Sequence, residues 1–171
     1  MDSSNAFLEG ILFEVRRRIH EEGMHRIKYC LDQLTDQDIW FRPNPNSNSV
    51  GNLVLHLCGN ARQWVVAGLT DKADTRNRDD EFEEQGPIPV DDLKNLLDTT
   101  WQEVNEALEQ LSPDDLLQAY DVQGFKESGI SILMHVVEHF SYHVGQITYF
   151  VKYRKDLDTG YYAELDLNLK K

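Results

Sequence analysis

Three histidines fall four residues apart in the segment HVVEHFSYHVGQI (residues 135–147): His135, His139 and His143. On a helix, that spacing stacks the imidazoles along one side. Neutral imidazole suits borderline divalent cations, so the chemistry at stake is metal binding. One ion cannot take all three rings. Residues eight apart are separated by about 12 Å along a helix axis, and metal–nitrogen bonds are about 2.1 Å. An i,i+4 pair can share an ion, and His139 belongs to either pair: His135 with His139, or His139 with His143. The first pair lies in HVVEH, which matches H-x-x-E-H, the inverted zincin pattern with Glu138 as base. A five-residue match arises easily by chance, and zincins need a further ligand on a separate element.

A helical wheel places these side chains. With His135 at zero, His139 lies at about 40°, His143 at about 80°, Tyr142 near −20° and Gln146 near 20°. Leu133, Val136, Val137, Val144, Ile147 and Val151 cluster at roughly 100° to 200°. The histidine strip therefore borders a buried face. His56 has the same position on an earlier helix. Asn60 follows it at about 40°, and Val50, Leu53, Val54, Leu57, Ala61, Trp64 and Val65 fill roughly 60° to 180°. Imidazoles at the edges of two buried faces can converge on one point, as metal sites in helical bundles do. Glu138 sits near −60°, away from the His139–His143 side, so no evident protein base accompanies the ligands. Tyr142, Gln146 and Asn60 are the nearest polar candidates to steady a ligand or touch a substrate.

The elements that carry these residues read as helices. The first spans about Asn5 to Leu34, with Phe7, Ile11, Val15 and Ile19 as its stripe, resumed by Ile27, Leu31 and Leu34, and Gly23 weakening its interior. Thr35 and Asp38 mark a short turn through Trp40. The second main helix runs from about Ser49 to Leu69. The third runs from Val90 to Leu111, with Leu93, Leu97, Trp101, Val104, Leu108 and Leu111 as its stripe. Ser112-Pro113-Asp114-Asp115 opens a short connecting helix. The fourth spans about Gly129 to Arg154, with Ser128 as its cap. Tyr120 to Phe125 could pair briefly as strands. These elements predict an all-α fold, a four-helix bundle with short connecting helices in one domain over residues 1–171. The polar linker 70–89 is longer than adjacent antiparallel helices need. It predicts a long crossover between helices 2 and 3, with two neighbouring helices running parallel.

Composition narrows the function. The 171 residues carry 30 acidic and 17 basic side chains, a formal net charge of −13. That balance excludes nucleic-acid contact, which needs a surplus of Lys and Arg, and disfavours anionic membrane surfaces. No signal peptide and no membrane-spanning run is evident. Two cysteines, Cys30 and Cys58, form no CxxC pair and suit a reducing cytoplasm.

SVGNLVLHLCGNARQW (residues 49–64), followed far downstream by HVVEHFSYHVGQI, resembles the DinB/YfiT-like superfamily. Those proteins are four-helix bundles with one histidine on the second helix. Their last helix carries an H-x-x-x-H pair, often followed by Gly-Gln-Ile. TRNRDDEF (residues 75–82) is similar to a subgroup of that superfamily. The resemblance covers nearly the whole chain and is tight only at these stretches. It implies metal ligands at His56, His139 and His143, with His135 outside the ligand set. Relatives include thiol S-transferases that use bacillithiol, mycothiol or glutathione, and maleylpyruvate isomerases; homodimers are common among them.

Three imidazoles with open coordination positions describe a catalytic metal site rather than a closed structural one. Zinc or nickel fits first, with iron, cobalt or manganese also suitable. Such an ion lowers the pKa of bound water or holds a substrate thiol as thiolate. The leading expectation is a metal-dependent transferase or hydrolase acting on a small-molecule substrate, with a low-molecular-weight thiol as partner. Two other readings stand beside it: a non-catalytic metal-binding or stress-response protein, and a helical interaction module with incidental histidines. His20, His25 and His135 read as hydrogen-bonded interfacial residues. Cys30, Cys58, Trp64 and Trp101 read as packing. Arg76 and Arg78 could grip an anionic substrate, although a mixed-charge linker is more often simply solvated.

Overall fold

The computed structural model describes residues 2–170. Helix α1 (Ser3–Arg16) passes through a π-helical segment, Arg17–Met24, into α2 (His25–Asp32). A single turn, α3 (Asp36–Ile39), precedes α4 (Val50–Ala61), which continues into a second π-helical segment, Arg62–Ala67. Helix α5 (Arg78–Glu83) lies within the crossover. Then come α6 (Val90–Leu108), a 3-10 turn at Asp114–Leu116, strands β1 (Ala119–Val122) and β2 (Phe125–Ser128), and α7 (Gly129–Lys155). The fold is an all-α bundle with one small hairpin. No helix among the described residues is long and apolar enough to cross a membrane.

Local chemistry sets the boundaries. Thr35 with Asp38, and Ser49 with Asn52, form capping boxes, and the Ser128 hydroxyl accepts from the Ser131 amide. The hairpin turns at Gln123 and Gly124, both at positive φ (51° and 81°), as a tight two-residue turn requires. Its strands pair from Ala119 with Ser128 to Val122 with Phe125. The pairing thus extends past the Tyr120–Phe125 segment expected from sequence and leads straight into the cap of α7.

The first helix buries Val15, Ile19, Ile27, Leu31 and Leu34 of the expected stripe and departs from it only at its start. Phe7 is 56% exposed, and the buried positions are Leu8, Leu12, Val15, Ile19, Met24, Ile27 and Leu31. The step from Ile19 to Met24 crosses the π-helical segment, whose wider turn keeps both residues on one face. In the same turn Gly23 faces α7: a Cβ there would make ordinary contact with Phe140 Cδ1 at 3.5 Å and Val144 Cγ2 at 3.7 Å, its tightest neighbour being the Arg18 carbonyl at 3.1 Å. On α6, Thr100 is buried, and half-buried Trp101 packs against the edge of the core, stacking on His20 with ring centroids 4.9 Å apart.

Side-chain pairs fix the helix directions. Cys58 meets Thr100 and Arg62 meets Glu103, so α4 and α6 run in the same direction. Arg16 bonds Asn105 and Lys28 bonds Asp98, so the first helix runs opposite to α6. Gly23 faces Phe140 and Cys30 faces Thr148, so it runs parallel to α7. This is the crossover topology that the long linker implied. After α7 the tail folds back, and the Tyr161 hydroxyl lies 3.3 Å from Cys30 Sγ and 3.1 Å from Thr148 Oγ1.

Buried Asp38 ties α3 to the end of α7. It accepts from Arg154 Nε at 2.7 Å and Lys155 Nζ at 2.6 Å. Those cations hold its carboxyl well below the usual range. A folded-state pKa depressed below the unfolded value of about 3.9 gives stability that is present above that pH and lost below it. Asp38→Asn should therefore lower unfolding free energy at pH 7 by about 1–2 kcal/mol, because its partners are partly exposed. Its deficit against wild type should shrink below about pH 4. Urea titrations at pH 7 and pH 3 measure both.

Candidate metal centre

Helices α4 and α7 bring His56, His139 and His143 together, with one ligand nitrogen from each ring and all three within 4.8 Å of one another. His56 Nε2 and His139 Nε2 are 2.9 Å apart. Ring centroids lie 4.9 Å apart for His56 and His139, 5.2 Å for His56 and His143, and 4.5 Å for His139 and His143. Two i,i+4 positions on α7 thus face one on α4.

His56 is oriented from behind. Its Nδ1 lies 2.9 Å from Glu81 Oε2 and 3.0 Å from Arg76 Nη2. A guanidinium can only donate, and Arg76 already donates to Glu81 from Nε at 2.6 Å and Nη2 at 2.8 Å. The consistent assignment has Nδ1–H donating to Glu81, which leaves Nε2 as a free lone pair. The pair is well sheltered, with side chains 4% exposed for Arg76 and 9% for Glu81. Burial favours the neutral carboxyl, but the hydrogen bonds from Arg76 and His56 outweigh it and Glu81 titrates below its ordinary value. Gly59 makes the space: a Cβ there would lie 1.9 Å from Glu81 Oε1. The Asn52 amide donates to the Glu81 and Glu84 carbonyls at 2.9 and 2.8 Å, and Arg42 donates to the Phe82 carbonyl, so α5 is pinned over α4.

His143 is held by Gln146, whose Oε1 lies 2.6 Å from Nδ1 and accepts its proton. Burial pushes the pKa of His143 down, and that of His139 to about 3 with help from the neighbouring rings. Tyr142 packs edge-on against His143 with its ring largely exposed. Asn60 turns away from the cluster toward His135, with 3.3 Å between its Nδ2 and His135 Nε2. His135 stacks on Trp64 at 3.6 Å and lies parallel to His139 at 5.4 Å rather than converging with it. Glu138 is exposed. The inverted zincin pairing is therefore not formed.

The Arg76–Glu81 pair is what sequence reasoning missed. The expectation that the linker is solvated fails at these two residues. Only the TRNRDDEF stretch contained a signal, because a helix-length run of charges beside a glycine-bearing partner helix can bury one matched pair. On its other side the cluster opens into a cleft of about 740 Å³, lined by His56, His143, Gln146, Tyr142, Arg78 and Phe82 among others. That volume suits a small molecule.

A family model described as "Protein of unknown function (DUF1572)" matches residues 4–163. The chain belongs to this family. DUF1572 is a DinB/YfiT-like family. Solved structures similar to this DUF1572 chain include a DinB-like protein from Bacillus cereus, at 20% identity and TM-score 0.66, covering 88% of this chain and 93% of that one. A DinB-like protein from Bacillus subtilis has 19% identity and TM-score 0.61, covering 82% and 90%. A conserved protein from Enterococcus faecalis has 17% identity and TM-score 0.61, covering 89% and 96%. At these identities the likeness carries the fold alone. No curated protein matches the sequence.

In this DUF1572 chain the buried ion pair and a surface pair should behave differently. Arg76→Ala leaves Glu81 buried without its cation and should cost about 3 kcal/mol in urea unfolding. Arg62→Ala, which breaks the half-exposed pair with Glu103, should cost under about 1 kcal/mol. Gly59→Ala removes no charge but displaces Glu81, and should resemble Arg76→Ala.

Proposed function

We propose that His56, His139 and His143 hold a divalent metal ion, zinc or nickel, and that the protein is a metal-dependent transferase for a small molecule. One observation carries this reading. His56 Nε2 and His139 Nε2 face each other at 2.9 Å, while the Nδ1 atoms of His56 and His143 are occupied by Glu81 and Gln146. Rings tethered at Nδ1 present Nε2 as the donor, and burial keeps His139 and His143 neutral, the form that ligates. A divalent ion at this point supplies Lewis-acid chemistry, lowering the pKa of a ligand water or thiol.

The chain's own residues favour thiol transfer over hydrolysis. No Asp or Glu among the described residues lines the cleft beside His56 and His143, so no carboxylate stands ready as a general base. A thiol, with a free pKa of about 8.5 against about 15.7 for water, starts far nearer its nucleophilic form and depends less on such a base. Glu81 fixes the tautomer of His56, Arg76 keeps Glu81 ionised, and Gln146 fixes His143. The cytoplasm suits such chemistry, and Cys30 and Cys58 are both buried and unpaired. A metal-binding protein without turnover is the second reading, and the same lack of a base in the cleft favours it.

Metal analysis of the purified protein should find about one ion per chain, as a three-histidine site binds. His56→Ala and His143→Ala should lose it, and His135→Ala should keep it. Retention in the first two with loss in the third would overturn the ligand set. Glu81→Gln should weaken metal affinity about 10- to 100-fold. Low-molecular-weight thiols screened with a chromogenic electrophile should show turnover that follows metal content; metal without turnover across the screen selects the second reading.

A further inference from the structure

The cleft beside the histidines has a charge pattern unlike the rest of the molecule. The chain carries 30 acidic and 17 basic residues, yet no acidic residue among the described ones lines this cleft. Arg78 does line it, and it is exposed. No carboxylate among the described residues lies within salt-bridge distance of its guanidinium. The other arginine of the same segment, Arg76, is fully engaged with Glu81. In so acidic a protein, an arginine left without a carboxylate at the rim of a small-molecule cleft is an anion receptor in waiting.

Its surroundings define the rest of the ligand. The Arg78 guanidinium lies over the Phe82 ring at 4.8 Å, and Phe82 in turn packs on His56 with ring centroids 4.8 Å apart. These two contacts place Arg78 within about 10 Å of the His56 ring. Across the cleft, α7 presents Tyr142, Tyr149, Phe150 and Tyr153. Tyr149 and Tyr153 are each 74% exposed, an unusual setting for rings with no partner to cover them. A flat apolar body fits between such rings, and a negative group at one end reaches the guanidinium.

We propose that Arg78 and this aromatic wall form a subsite for a small aryl carboxylate, oriented with its anionic end on Arg78 and its ring toward the histidine cluster. The assignment of this molecule as substrate rests on the metal-site reading above; the anion subsite itself does not. Arg78 sets specificity by donating two parallel hydrogen bonds to the carboxylate, which an uncharged analogue cannot reproduce.

The probes are 2-naphthoate and its uncharged counterpart 2-naphthamide, titrated by calorimetry into zinc-loaded and chelator-treated protein whose helical content is checked by circular dichroism. Wild type should bind naphthoate more tightly than naphthamide in both forms. Arg78→Gln should weaken naphthoate about ten-fold, the usual scale of a lost charge-assisted pair, and leave naphthamide unchanged. Arg78→Lys, which keeps the charge and loses the fork, should fall between. Equal affinity of wild type for the two probes, or naphthoate binding unaltered in Arg78→Gln, overturns the proposal. If removing zinc abolishes the preference while Arg78→Gln preserves it, the carboxylate sits on the metal; the subsite is then wrong and the metal reading stands. If no metal is found but Arg78→Gln still loses naphthoate, the metal reading fails and the subsite stands.

Discussion

A single buried ion pair organises the site. Glu81 lies under α5 with its carboxylate in the bundle, where an unpaired charge would be strongly disfavoured. Arg76 satisfies it through two parallel hydrogen bonds, and the remaining acceptor capacity goes to the His56 ring. The pair needs space against α4, and Gly59 provides it where any side chain would collide. Remove the cation and the carboxylate has reason to leave for water, taking with it the acceptor that fixes His56. The position of one imidazole on α4 thus depends on a salt bridge supplied by a segment that is neither α4 nor α7.

Much of the scaffold was legible in the residues themselves. The four long helices, the caps at Thr35 and Ser128, and the crossover between parallel α4 and α6 all follow from apolar periodicity, capping chemistry and linker length. The pairing of His139 with His143 rather than His135 did not follow from spacing, because either pair has the same i,i+4 geometry. It took the resemblance to choose, and in the structure His135 is drawn off by Trp64 and Asn60. The stripe of the first helix was misread only at its start, where Leu8 and Leu12 are buried in place of Phe7 and Ile11. Phe7 and Ile11 mimic a regular repeat, whereas the buried face jumps from Ile19 to Met24 across a π-helical turn. A wider turn leaves no mark in composition. The pairing of Arg76 with Glu81 was missed for another reason: charged residues in a polar linker look much the same whether they meet water or each other.

The two faces of the histidine cluster are chemically opposite. Behind His56 lies a dry, fully paired network of Arg76, Glu81 and Asn52. In front lies an open cleft with aromatic walls and an arginine without a carboxylate. The first arrangement fixes geometry and admits nothing. The second admits a guest and fixes little on its own. Such a division suits a site that must hold its ligands rigidly while exchanging small molecules.

The parallel arrangement of α4 and α6 obliges the chain to travel the length of the bundle between them. That return path carries α5 over α4 on its way, which is why the same twenty residues supply Arg76, Arg78, Glu81 and Phe82. The bundle can therefore keep its histidines constant while this one strap is rewritten. Divergence in what relatives of this architecture recognise should concentrate in the strap, leaving the helices that carry the histidines to drift only as packing allows.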